Sequence, residues 1–470
     1  MFGILAQSQK DVRAAAGAWM SQVDSSIIHP LALVVFIIAA LWIFFGPRGK
    51  VVWSVLLIAC FISVAQRFAV LTMDFHFARA IGTLGLIRIL FYGELRTLKP
   101  NITDKLMVAF VAVPIVMIIL REGVSGGVSR AGASLDIFGM YWIGRASLTT
   151  TKDIRMMMAA LGVIAIPLSV FFIIEQTTGR NLFSIFGGVS EFTAIRDGKL
   201  RAQGSFCHPI IAGVFFASFF PIAIGVIRSR IRGIASLLGG WATVVLSIMI
   251  ILMCNSSTPV AGILIGLMAW ATFRFRQYLK TWLYAILVLM ILAHFASTNG
   301  VHNLIFTRID FTGSSTGYHR YLLVDGLINN VSKWMFIGDS YPAYNRSYRD
   351  ITNMYVGSAL AGGAITLGLL FCIVYQAFKA SLRGVRNATN REEIMMMYGM
   401  GCAYAAMAVS FTAVACYGEG LVPFYMLIGG GITVSQTLFA KRHVREDVQR
   451  PAGQSPPARQ NPRQLPISET

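Results

Sequence analysis

The sequence predicts an all-α polytopic membrane protein with 12 or 13 transmembrane helices, on three observations. Of 470 residues, 56% are hydrophobic and only 13% charged. Soluble domains carry roughly 25% charged residues, so this chain lacks the polar surface to stay in water. Runs such as LALVVFIIAALWIFF and WATVVLSIMIILM recur along the chain, and they approach the ~20 residues that cross a ~30 Å hydrocarbon core. Basic loops alternate with loops that are almost uncharged, as the positive-inside rule requires.

Taken in order, the apolar stretches place spans near 30–46, 51–71, 79–93, 105–120, 134–148, 156–174 and 206–227. Further spans fall near 233–253, 258–273, 281–297, 354–378, 394–415 and 420–439. The polar segment 1–29 has no charged–apolar–small cleavage pattern, and GPRGK closes the first apolar run, which suits a retained anchor. The stretch 79–93 is the weakest span because it is short and contains Arg79 and Arg88. An arginine at mid-helix costs at least ~2.5 kcal/mol unless it snorkels or finds a partner. The side occupied by the N-terminus depends on that segment. Arg145 lies near the end of its span, where snorkelling is expected.

The later loops define a topology. Arg228, Arg230 and Arg232 occupy one loop, CNSSTP follows without charge, and RFRQYLK is basic again. The loop 379–393 holds Lys379, Arg383, Arg386 and Arg391, the next holds only Glu419, and the tail from Lys441 is basic. This alternation puts the C-terminus in the cytoplasm and the segments 175–205 and 298–353 outside. The chain therefore divides into a polar segment 1–29, a transmembrane domain 30–440 with those two outer loops, and a tail 441–470. The Pro- and Gln-rich tail reads as disordered. The net charge of +19 is spread over short loops, which points to membrane topology and excludes a nucleic-acid partner. Six cysteines lie in or beside apolar runs without metal-ligand spacing and read as buried thiols.

Most of the polar chemistry lies in the outer loops. The first contains Glu175, Arg196 and Arg201; the second contains Arg308, His319, Arg320, Arg346 and Arg349. A loop of more than ~50 residues is longer than a connector needs. Arginine grips a phosphate with a planar fork and keeps its charge at any physiological pH. Arginines at the outer boundary suit a lipid pyrophosphate, with its tail in the bilayer and its head at the interface. Fixed cations then stabilise the departing diphosphate. Neither loop offers a DxD motif or a His/carboxylate cluster at ligand spacing, so no metal or other cofactor is expected.

Four stretches resemble one family. RAQGSFCHPIIAGVFF is similar to the Arg-x-x-Gly-x-Phe-x-x-Pro signature of the O-antigen ligase and polysaccharide polymerase superfamily, matched by Arg201, Gly204, Phe206 and Pro209. SSTPVAGILIGL resembles that family's Ser-rich outer turn without its arginine. STGYHRYLLVDGLINNVSKWMFIGDSY resembles the stretch in which Arg320 precedes a helix and a turn near Gly338. DITNMYVGSALAGGAITLGLLF is similar to the His-Asn-x-Tyr-Leu segment, with Thr352 in place of the histidine and with Asn353 and Tyr355 retained. Threonine is no general base at neutral pH, a departure that fits the polymerase branch better than the ligases.

The resemblance, over about residues 135 to 440, implies a glycosyltransferase architecture of the GT-C-like kind in the bacterial inner membrane. It implies periplasmic, metal-independent, inverting transfer between glycan units on undecaprenyl diphosphate, with a chain-length regulator and a flippase of the same pathway as partners. Arg201 and Arg320 would hold the donor diphosphate, with His319 or His208 as base. Arg196, Arg308, Asn353 and Tyr355 would contact substrate. The alternatives are a ligase acting on a lipid or protein acceptor and, from another class, a transporter or flippase. A transporter would show internal repeats and ionisable residues near mid-membrane.

Overall fold

A computed structural model describes residues 28–70, 73–278, 316–339 and 351–448, with positions 284, 285, 288, 289, 291, 292, 295 and 297 between them. Arg308, Arg346, Arg349, the segment 1–27 and the tail from 449 lie outside the described residues, and the expected span 281–297 is only partly within them. Among the described residues, seven helices are long and apolar enough to cross a membrane, and the strands are confined to two short hairpins. The chain is a mostly helical, membrane-embedded protein.

The first helix, α1 (Pro30–Phe45), is apolar on every side. Leu31, Val34, Ile38, Leu41 and Phe45 form an exposed stripe at helical spacing, whereas Ala32 and Ala39 are buried. Small residues face the bundle so that backbones approach, and the bulky ones face lipid. Helix α2 (Val51–Phe61) follows. The expected span 51–71 ends early because β1 (Arg67–Val70) turns back to pair with β2 (Met73–His76), with Arg67 opposite His76. Helix α3 (Phe77–Phe91) takes its cap from His76, whose Nδ1 accepts the Arg79 N–H.

The next helical stretch, Ile102–Ser147, is two helices. Ser134 Oγ donates to the Val111 carbonyl at 3.1 Å, and Tyr141 OH donates to Asp104 Oδ1 at 2.5 Å. A rise of 1.5 Å per residue would separate those partners by tens of ångströms in a straight helix. The chain instead doubles back at Gly123, with φ 80° and ψ −173°, a conformation open to glycine and costly for other residues. This gives α4 (102–122) and α5 (124–147). Residues 121–133, expected as a loop, are helical apart from that hinge.

The same device recurs in Met354–Asn387. Tyr355 stacks on Phe371 with ring centroids 5.4 Å apart, which requires a fold at Gly362–Gly363 into α11 (354–361) and α12 (364–387). The expected span 354–378 is therefore broken. Between these pairs come α6 (Thr151–Thr178), α7 (Pro209–Arg228), α8 (Ile234–Met253), α9 (Ser257–Ala271) and α10 (Thr316–Asn329). The bundle closes with α13 (Arg391–Ser410) and α14 (Leu421–Val448).

Ion pairs gather at one end of the bundle. Arg145 is fully buried and grips Asp104 with Nε and Nη2, both at 2.9 Å. Its Nη1 donates to Thr433 Oγ1 and Gln436 Oε1, which ties α5 to α4 and α14. The expectation that Arg145 snorkels is thus corrected: a carboxylate, two polar side chains and the Lys99 carbonyl saturate its fork. Arg88 binds Glu94 and the carbonyls at the end of α1, Arg155 pairs with Glu392, and Lys441 pairs with Glu393. The doubtful segment is accommodated at both charges, since Arg79 forms a two-pronged pair with Asp136 at 2.8 and 2.9 Å.

At the opposite end, Ser205 Oγ donates to the Cys60 carbonyl, Asn255 to Leu200 and Asn353 to Thr412. All six cysteines are free thiols, with Cys372 exposed to the bundle exterior.

Replacing Asp104 with alanine leaves Arg145 buried without its counter-charge. The expected loss is about 3–5 kcal/mol, read as a large drop in thermal unfolding temperature in detergent. Exposed Asp197→Ala, in the same assay, is expected to change little.

Candidate functional site

The site is assembled around the end of α6. Gly179 closes that helix in the left-handed conformation, and the chain returns as a hairpin of β3 (Ala194–Arg196) and β4 (Lys199–Arg201). Asp197 and Gly198 join the strands with φ 53° and 74°. Positive φ at both central residues defines the tight turn whose twist matches paired strands, for which Asp-Gly is a preferred sequence.

The hairpin register arranges the charge. Arg196 lies opposite Lys199, and Arg201 is two residues along the same strand. Directly paired residues share a face, as do residues i and i+2, so all three cations lie on one face of the hairpin. Like charges placed directly opposite destabilise a strand pair, and Asp197 in the turn offsets part of this, with its Oδ2 3.6 Å from Arg196 Nε.

Glu175 holds the following turn in place. Its Oε1 accepts the Gln203 N–H at 3.1 Å and the Thr193 hydroxyl at 3.3 Å, and its Oε2 accepts the Gly204 N–H at 2.8 Å. Asn181 Nδ2 donates to the Gly204 carbonyl at 2.7 Å, and the Ala202 N–H donates to Met253 at the end of α8. With the turn pinned on both sides, Arg201 enters the bundle at 7% exposure, its Nε 3.5 Å from the Cys254 carbonyl. Among the described residues no carboxylate pairs with it. Burial, and then the neighbouring charge of Arg196, pull its pKa below the usual arginine value, but the guanidinium stays charged at neutral pH.

Arg320 reaches the same place from α10, where its Nη2 donates to Thr258 Oγ1 at 3.0 Å, in the first turn of α9. The two expected outer loops therefore converge. Arg196, Lys199, Arg201 and Arg320 line a cavity of about 220 Å³ together with Asp197 and the Asn255–Ser257 turn. Among the described residues, four cations and one carboxylate, Asp197 at 3.6 Å from Arg196 Nε, line this cavity and give it an excess of positive charge. Around the 201–208 turn, Ser205 also lines a separate apolar cleft of about 340 Å³, walled by Leu31, Leu57, Phe171, Phe183 and Phe186.

The other expected site residues lie elsewhere. His208 caps α7: its Nδ1 accepts the Ile210 N–H at 3.1 Å, just before Pro209 opens the helix. Burial, then the charges of Arg201 and Arg196, lower its pKa to about 4. With Nδ1 occupied by the cap and the ring neutral, Nε2 carries the proton, so the geometry gives His208 a capping role. His319 precedes Arg320 on α10 but does not line the cavity.

Asn353 and Tyr355 are structural at their polar atoms. Asn353 caps α11 and donates to Thr412, and Tyr355 OH donates to the Ala408 carbonyl at 2.8 Å. Asn353 borders a different cavity. Lys199, Asn255 and Ser256 line the cationic cavity and were missed. The Asp-Gly pair between strand-like residues was the available signal for Lys199.

The His208 shift has a defined pH signature. Above pH 6.5 the ring is neutral both folded and unfolded; as pH falls toward 4, the unfolded chain takes up the proton first. Stability is thus lost with falling pH across that window, on the order of 3 kcal/mol for this residue. His208→Asn, a cap that does not titrate, is expected to flatten the fall of unfolding temperature between pH 6.5 and 4. An unchanged slope would assign it to other groups. No family model and no curated protein matches the chain, so the resemblance read from its motifs stands on those residues alone.

Proposed function

We propose that the chain is a membrane glycosyltransferase, a polysaccharide polymerase that joins glycan units carried on undecaprenyl diphosphate. In this reading it crosses the bacterial inner membrane 12 or 13 times in a GT-C-like arrangement, with its C-terminus cytoplasmic. The ion-paired end, which also carries most of the loop lysines and arginines, faces the cytoplasm. The cationic cavity then opens on the periplasmic side.

The observation that carries the reading is the convergence of Arg196, Lys199, Arg201 and Arg320 on that cavity. A donor diphosphate brings negative charge on both phosphoryl groups, which complements the excess of cations on that lining. The apolar cleft beside Ser205 offers the lipid chain a wall to lie against.

In the transfer, a hydroxyl oxygen of the acceptor glycan attacks the anomeric carbon from the face opposite the diphosphate. The bond from that carbon to the phosphate oxygen breaks, and its electron pair leaves on the lipid diphosphate. Configuration inverts, and the acceptor's carrier now bears the longer glycan. Arg201 and Arg320 stabilise the charge that develops on the leaving group, without reorganisation, in a site partly closed to water. The hydroxyl proton passes to a base; of the two candidate histidines, His319 remains once His208 is committed to its helix cap.

Arg201→Ala and Arg320→Ala, expressed in a strain lacking the native copy, are each expected to cut polymer formation ~10²–10³-fold. Gel profiles of the surface polysaccharide read the result. Normal polymer from well-expressed variants would remove the diphosphate role. Long chains that form but stay unattached would indicate a ligase. Substrate movement across liposomes without glycosidic bond formation would indicate a flippase.

A further inference from the structure

We infer that a second cavity, at the end of the bundle opposite the Arg145 ion pair, binds a singly charged oxyanion on a small ring-bearing ligand, the carboxylate of an acidic sugar, through Arg130. This cavity of about 390 Å³ lies among the β1–β2 hairpin, α5, the start of α11 and the start of α14. It belongs to none of the chemistry assigned to Arg201. Between the two cavities runs the 201–208 turn, since a Cβ on Gly418, which lines the second, would sit 3.3 Å from Cys207 Sγ.

Its charges are matched except at one place. Arg67 pairs with Asp74 at 3.0 Å, and Arg79 holds Asp136 with two prongs. His76 keeps Nδ1 on the α3 cap and turns Nε2 to Asp136 Oδ2 at 3.3 Å. Both lining carboxylates are therefore committed. Arg130 also lines the cavity, yet among the described residues no carboxylate lies within ion-pair distance of it. Its buried Nε has no hydrogen-bond partner among the described residues. Three arginines against two aspartates leave one positive charge, and that charge is on Arg130.

One guanidinium fork matches one carboxylate in two parallel hydrogen bonds. The volume falls within the ~300–1,000 Å³ of small-molecule sites, so a bare ion would leave most of it empty. Phe110, Tyr417 and Tyr425 offer aromatic surface for the apolar face of a ring, and polar groups stand around them.

The inference stands without the glycosyltransferase reading, and its test uses the purified full chain in detergent. Saturation-transfer NMR and thermal unfolding are run with glucuronate, glucose and acetate. Glucuronate is expected to bind and raise the unfolding temperature, at least tenfold more tightly than either glucose or acetate. Arg130→Gln should weaken glucuronate at least tenfold, Arg130→Lys should keep part of the binding, and Arg201→Ala should leave it unchanged. Glucuronate that fails to bind, or binds Arg130→Gln equally, overturns the site; acetate binding as tightly as glucuronate overturns the sugar. Loss of binding in Arg201→Ala would assign the anion to the first cavity and equally overturn the proposal. Polymer formation in the Arg201 and Arg320 variants is read separately, so either idea can fail alone.

Discussion

Glu175 stands at the end of α6 with two oxygens that take the N–H groups of Gln203 and Gly204 and the Thr193 hydroxyl. Backbone N–H groups buried in a low-dielectric surround must be satisfied, and an irregular turn has no helix of its own to supply acceptors. The carboxylate solves that problem, and the rest of the site follows from it. Once the 202–204 turn is held, β4 must enter the bundle, Arg201 must lie beside Cys254, and His208 must meet the first turn of α7. The β3–β4 hairpin, anchored by the same turn, then projects Arg196 and Lys199 into the cavity that Arg201 lines.

Charge is treated differently at the two ends of the bundle. At the ion-paired end Arg145, Arg88 and Arg155 each meet a carboxylate, and the contacts of Arg145 and Arg155 tie helices distant in sequence to one another. At the other end Arg67 and Arg79 also meet carboxylates, whereas Arg201 and Arg130 line cavities with no carboxylate partner among the described residues. A buried ion pair is weak evidence for anything but position, because desolvation offsets much of its attraction. A buried cation left for a ligand has already lost its water, so an arriving anion meets a preorganised charge. That contrast, more than the number of arginines, separates the cations spent on carboxylates from those that line a cavity.

The site was legible in the sequence where local rules sufficed. Arg201 was visible as a cation at the lip of an apolar run and Arg320 through a motif in the long second loop, and both line the cavity. His208, Asn353 and Tyr355 looked equally suited to chemistry, yet their polar atoms cap helices or bind carbonyls. A side chain before a proline or at a helix start can serve the helix or a substrate, and one-dimensional pattern does not separate these uses. The hinges at Gly123 and Gly363 were also hidden. Hydropathy averages over ~19 residues and registers apolar content, whereas a single residue at positive φ reverses the chain.

By itself the sequence determined that this protein is a helical membrane protein, because apolar length and charge content are properties of the chain. It also determined which loops share a side, because the basic residues alternate along it. Only the tertiary structure decided which arginines are spent on carboxylates and which face a cavity, because partners such as Asp104 for Arg145 and Asp136 for Arg79 lie tens of residues away. Only the tertiary structure, too, brought Arg201 and Arg320 together, through a carboxylate on one helix and a threonine on another.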